Sequence, residues 1–154
     1  MRIRPIVEAD HGAWRELWAQ YCATAGTTLP AHVTETTWRR LVTAEAPVFG
    51  LLAEDGEGRP QGFCHYVLHP NTWSDRPVCY LEDLYVRPEA RRLGRGSALV
   101  RALEALGRGE GWHRIYWITA RDNAAARAAY ARLARDTGHV RYEIALGAAR
   151  EAGG

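Results

Sequence analysis

The chain contains no lysine: all 20 of its basic residues are arginine, set against 18 acidic residues for a formal net charge of +2. Arginine stays protonated at any working pH, so a lysine nucleophile is excluded and any base must be Glu, Asp, His, Tyr or Cys. Long apolar runs are also missing. The longest, residues 47–53 and 98–103, fall far short of the roughly 20 apolar residues that a membrane-spanning helix needs. A soluble protein with no membrane partner is expected. Residues 1–10 carry Arg2, Arg4, Glu8 and Asp10 and no apolar signal core, so they read as mature structure, which makes the cytoplasm the expected location. Cysteine is scarce. Cys22, Cys64 and Cys79 are odd in number and lack CxxC spacing, which argues against a disulfide scaffold or a cysteine zinc site and predicts reduced core thiols and no metal. The arginines are scattered among the acids, without the basic stripe of a phosphate-tracking protein, so no nucleic-acid partner is expected.

What is present is one domain's worth of chain: 154 residues, 47% of them hydrophobic. Residues 2–7 alternate as a half-buried strand does. From Asp10, a good N-cap, Trp14, Leu17, Trp18 and Tyr21 recur at helical spacing until Gly26. Thr34 is the expected cap of a second helix through Trp38, Leu41 and Val42, ending near Pro47. Apolar runs at 48–53 and 61–68 flank Asp55-Gly56 and Gly58, a hairpin signal, and 78–86 reads as a third antiparallel strand. A helix follows Gly96 and ends near Gly107. Then come a strand at 114–119, an alanine-rich helix at 123–135 and a last strand at 140–146. The expected fold is α+β: a mixed, mostly antiparallel sheet in the order β-α-α-β-β-β-α-β-α-β, with helices on both faces. A single domain over 1–147 with a frayed tail at 148–154 completes the expectation.

The chemistry-bearing segment is the junction after the third antiparallel strand. Tyr80-Leu81-Glu82-Asp83-Leu84-Tyr85-Val86 runs through Arg87-Pro88 into Arg91-Arg92-Leu93-Gly94-Arg95-Gly96-Ser97, where a helix begins. A helix N-terminus offers unpaired N–H groups and a partial positive charge, and glycines let the chain approach a phosphate closely. A dinucleotide fingerprint would need a third glycine where Leu99 stands, and a P-loop would need a lysine. His65 and His69, four apart on a strand, read as ordinary strand residues.

Arg-x-x-Gly-x-Gly after a strand ending in Val-x-Pro resembles the pyrophosphate motif of the GNAT superfamily, the acyl-CoA-dependent N-acyltransferases. Leu81-Glu82-Asp83, with Asn123 and Tyr130 at matching spacing, is similar to diamine acetyltransferases. Leu17-Trp18 with Tyr21, Thr72-Trp73, Leu84-Tyr85-Val86 and Tyr116-Trp117-Ile118-Thr119 resemble the yeast histone and polyamine branch, also linked to D-amino-acid acetylation. The resemblance implies an acetyl-CoA-dependent N-acetyltransferase working in a ternary complex on a primary amine: a small amine, an amino acid or a peptide. It implies that the backbone of Leu84, Tyr85 and Val86 pairs with pantetheine, the side chain of Tyr85 being left to packing. It further implies that Arg91, Arg92, Leu93, Gly94, Arg95, Gly96 and Ser97 hold the pyrophosphate, that Asn123 both caps its helix and meets the cofactor, and that Glu82 is the base and Tyr130 the acid. Asp83 is expected to face away from Glu82, because strand side chains alternate. Trp73, Tyr66, Trp14, Trp18 and Trp38 are candidates for an acceptor pocket. With no lysine, self-acetylation of a lysine side chain cannot occur. A single strand after the last helix leaves a sheet edge that a homodimer would protect. The alternative function is a non-catalytic CoA-binding or interaction module of the same fold.

Overall fold

The computed structural model describes residues 1–146; the tail expected at 148–154 lies outside the described residues. The chain forms β1 (Arg2–Pro5), α1 (His11–Thr24), α2 (Ala31–Thr43), β2 (Val48–Glu54), β3 (Pro60–His69), β4 (Val78–Val86), α3 (Arg95–Gly109), β5 (Arg114–Tyr116) and α4 (Ala124–Tyr130). The strands make one sheet in chain order. β1 to β4 are antiparallel neighbours, and β5 joins β4 in parallel after the α3 crossover.

The two faces of the sheet bury separate apolar clusters, so helices do cover both. On one face Trp14, Leu17, Trp18 and Cys22 of α1 and Leu41 of α2 pack on Phe63 and Tyr85. On the other, Leu99, Val100 and Leu103 of α3 pack on Leu51, Cys64, Cys79 and Leu81. The three cysteines are free and buried, as expected, and burial pushes the thiols of Cys64 and Cys79 up to about 12.

Asp10 precedes α1 but does not cap it. Its carboxylate accepts from Arg4 at 2.7 Å on both oxygens and from the Val7 amide at 2.8 Å. Arg4 Nε also donates to Glu54 at 2.9 Å, so one guanidinium ties β1, β2 and the entry to α1. The second helix starts at Ala31, a turn before Thr34. Pro30 holds φ −57° and its carbonyl accepts from the amides of Val33 and Thr34, and a proline has no N–H to leave unpaired there.

The C-terminal third departs most from the expectation. β5 ends at Tyr116 instead of residue 119, and α4 at Tyr130 instead of 135. Residues 140–146 pair with no strand among the described residues, although Val140, Tyr142, Ile144 and Leu146 alternate as a strand would, and those four side chains are exposed. Alternation describes a strand only when a sheet edge meets it, and here β5 offers three residues. Among the described residues no helix is long and apolar enough to cross a membrane.

Candidate active site

β4 and β5 pair only over Val78–Tyr80 and Arg114–Tyr116, where the rings of Tyr80 and Tyr116 stack at 5.0 Å. From Leu81 to Val86 the β5 side of β4 therefore has no strand partner among the described residues, and this open edge forms a cleft in the sheet. That free edge carries Leu84, Tyr85 and Val86. Tyr85 keeps its ring in the α1 and α2 cluster, and its hydroxyl donates to Gln20 at 3.2 Å.

After β4 a 3-10 turn (Pro88–Ala90) leads to the arginine and glycine segment. Arg92 and Gly94 take positive φ, 61° and 75°. Left-handed backbone costs a non-glycine residue about 1–2 kcal/mol, so Arg92 holds strain that the loop's shape imposes. The Arg91 amide donates to the Pro88 carbonyl at 3.2 Å and the Ala98 amide to Gly94 at 2.9 Å; those of residues 92–97, between them, have no backbone acceptor among the described residues. Gly96 sits in the first turn of α3, and a Cβ there would meet only Val86, at 3.9 Å.

The arginines differ in how they are used. Arg91 folds back, its Nε donating to the Val86 carbonyl at 3.0 Å and its guanidinium lying 5.8 Å over the Tyr85 ring. Arg95 donates to the Ala90 carbonyl at 3.2 Å, yet its Nε is buried with no partner. Six free amides, a helix N-terminus and an unsatisfied guanidinium N–H fit an anion of several oxygens, and a diphosphate is such a ligand. Leu93 is exposed and contributes its backbone alone.

Glu82 stands where the cleft opens, and the register there is irregular. His65 pairs with Asp83 and Tyr66 with Leu81, which leaves Glu82 as the extra residue of a β-bulge. The bulge corrects the expectation for Asp83. Leu81 and Leu84 both pack in the α3-side cluster, so the two residues between them, Glu82 and Asp83, both lie on the α1 and α2 side. Partial desolvation raises the Glu82 carboxyl above the usual glutamate range, the neighbouring charge of Asp83 raises it further, and Arg141 opposes both. Asp83 is held at 3.0 Å by His65, whose other ring nitrogen accepts from Trp14 at 2.9 Å.

Tyr130 ends α4 on the opposite side of the sheet. Its ring meets Trp117 edge-on at 5.3 Å, and Trp117 packs in the α3-side cluster. Burial raises its phenol, so the proton stays on at neutral pH. Glu82 and Tyr130 thus belong to different faces of the sheet. Asn123 caps α4, its side chain accepting from the Ala126 amide at 3.2 Å.

The five aromatics do not form one acceptor pocket. Trp14 and Trp18 are core, Trp38 packs against them, Tyr66 lies on the other face, and Trp73 alone stands in solvent on the β3–β4 loop, 90% exposed. Helical spacing in α1 and α2 marked the buried faces. A separate cavity of about 280 Å³ lies between the C-terminal half of α3 and β5, lined by Glu104, Arg108, Arg114 and Trp117. It shares no residue with the Glu82 or Arg91-to-Ser97 groups, so the open edge of β4, where a desolvated carboxylate lies on the same strand that leads into the free amides of residues 92–97, is the better candidate for chemistry. The His65 and Trp14 pair went unread in the sequence, since nothing in residue spacing signals a bulge.

Residues 9–134 match the family described as Acetyltransferase (GNAT) family. The chain is 33% identical over 142 residues, 92% of its length and 88% of the relative's, to the D-amino-acid N-acetyltransferase HPA3 of Saccharomyces cerevisiae. Among solved structures it resembles a probable acetyltransferase, with TM-score 0.85 and 22% identity over 97% of this chain and 100% of that one. It also resembles AAC(6')-Iy in complex with the bisubstrate analogue CoA-S-monomethyl-acetylneamine, with TM-score 0.79 and 20% identity over 94% and 97% of the two chains.

Proposed function

Because the chain belongs to the acetyltransferase (GNAT) family and is an acyltransferase of that family, we propose that it moves an acetyl group from acetyl-CoA to a primary amine in a ternary complex. The observation that carries this reading is the run of unpaired amides at residues 92–97, opening α3 beside the unpartnered edge of β4. Acetyl-CoA supplies an acetyl group already activated as a thioester. The amides of residues 92–97, with Arg92 and Arg95, bind its diphosphate. The backbone edge at Leu84, Tyr85 and Val86 receives the pantetheine arm as a sheet edge receives a strand. Asn123 meets the cofactor from the start of α4.

Glu82 takes a proton from the acceptor's ammonium group, and its raised carboxyl suits it to do so near neutral pH. Tyr130 gives its proton to the departing sulfur, a task that needs a phenol still protonated at that pH. Among amines, an amino acid fits best. A D-amino acid is the acceptor in the yeast relative's name.

Release of free CoA across a panel of D- and L-amino acids, polyamines, aminoglycosides and peptides tests the reading. Tyr130→Phe is expected to cut turnover by about 10²-fold or more with CoA affinity kept; a binding module of the same fold would show no turnover to lose. A homodimer belongs to the proposal, because 140–146 exposes four apolar residues on one side of an extended segment while β5 is a free sheet edge. Sedimentation returning a monomer at high concentration would remove it. Residence in the cytoplasm, where acetyl-CoA is made available, completes the reading.

A further inference from the structure

The acceptor side of the cleft contains a chain of buried polar groups that the proton transfers do not use. Trp14 is fully buried, and its indole N–H donates to His65 Nε2 at 2.9 Å. An indole nitrogen is a donor only, so Nε2 must be the acceptor and the ring proton must sit on Nδ1. That nitrogen then donates to Asp83 Oδ2 at 3.0 Å. His65 is 2% exposed, packed between Phe63, Trp14 and Trp18, and has no room to turn over. The direction of the whole chain, from indole to imidazole to carboxylate, is therefore set by packing.

We propose that Trp14 and His65 are positioning residues that act through Asp83: they hold its carboxylate at the bulge beside Glu82, as a fixed negative charge facing a cationic amine. The inference rests on the reading of Glu82 as the proton acceptor. The bulge supplies the reason for such a device. With Glu82 and Asp83 on the same side of the sheet, two carboxylates share one mouth, and a free Asp83 would swing to solvent, away from its like-charged neighbour. A hydrogen bond from a fixed imidazole N–H keeps it in place. There it strengthens the hold of Glu82 on the proton it must accept and draws the acceptor's ammonium toward both groups.

The groups that face this pair are few. Tyr21 and Cys22 come from α1, His65 from β3, Tyr80 from β4, and Arg141 from the segment after α4, while Cys64 lies on the other face of the sheet. Tyr21, Cys22 and Tyr80 are all shifted upward, so they keep their protons through neutral pH.

The test combines nitrogen-15 NMR of the His65 ring with carbon-13 carboxyl NMR of Glu82, neither of which needs turnover. The neutral wild-type ring is expected to be the Nδ1–H tautomer. Asp83→Asn is expected to lower the Glu82 titration midpoint and the acid limb of kcat/KM together, and to raise the KM for a cationic acceptor about tenfold with a smaller change in kcat. His65→Leu is expected to move the Glu82 midpoint part of the way in the same direction. His65→Asn, which can place an amide N–H near the Nδ1 position, is expected to restore it. Should His65→Leu fail to fold, the ring tautomer and the Asp83→Asn and His65→Asn pair still decide. An Nε2–H ring, or a Glu82 midpoint indifferent to Asp83→Asn, overturns the proposal. So does a His65→Leu protein that folds and keeps the wild-type midpoint. If Glu82→Gln retained full turnover, the reading of Glu82 would fail instead, and the NMR midpoints would still report on the positioning.

Discussion

Two glycines separated by one residue, Gly94 and Gly96, distinguish what the loop needs for its own shape from what a bound diphosphate needs. Gly94 holds φ 75° and a Cβ there would meet nothing within 4 Å, so Gly94→Ala costs only the left-handed backbone, about 1–2 kcal/mol. That cost divides in one of two ways. If the free loop keeps its conformation, the unliganded protein loses the whole amount, a drop in Tm of about 2–8 °C for a domain of this size. If the free loop relaxes, binding must restore the shape, and CoA affinity falls by about 5–30-fold. The sum of the two losses stays near 1–2 kcal/mol.

Gly96 obeys a different rule. It lies in the first turn of α3 with ordinary helical φ, and its added Cβ would sit at an undemanding 3.9 Å from Val86. Gly96→Ala is therefore expected to leave the unliganded protein as stable or up to about 1 kcal/mol more stable. Only a ligand close against the backbone would feel the new methyl, and CoA affinity is expected to fall tenfold or more. Differential scanning calorimetry of the unliganded variants and titration calorimetry with CoA give both quantities. A Gly96→Ala protein that binds CoA as tightly as wild type would refute the placement of the diphosphate on these amides.

The remaining predictions concern charge. The acid limb of kcat/KM is expected above the ordinary glutamate range of about 4.3, since the base must lose its proton and its carboxyl is raised. Arg141→Gln removes an opposing charge and is expected to move that limb to still higher pH; a downward move would contradict the assignment. Asp10→Asn breaks the paired hydrogen bonds from Arg4 and is expected to cost about 2–3 kcal/mol at pH 7 by urea unfolding. The Arg4 guanidinium holds the Asp10 carboxyl below its usual range, so this contribution is complete above about pH 3.9 and is lost as pH falls through the lower folded value. The gap between wild type and variant is therefore expected to close in strong acid; a constant gap would show that packing, not charge, supplies it.

The sequence by itself determined the order of elements as far as α4, both helix faces of α1 and α3, and the strand-to-helix junction at Arg91 to Ser97. These depend on local periodicity and on glycine's backbone freedom, which neighbouring residues express without help from the rest of the chain. Only the tertiary structure decided the matters that turn on register and partners. The bulge that swings Asp83 to the side of Glu82 exists because β3 and β4 slip by one residue at His65, and neither strand records that slip alone. Asp10 serves Arg4 instead of its helix because β1 and β2 bring the guanidinium within 2.7 Å. Residues 140–146 alternate as a strand and pair with no strand among the described residues, since a strand is completed by an edge that lies elsewhere in space.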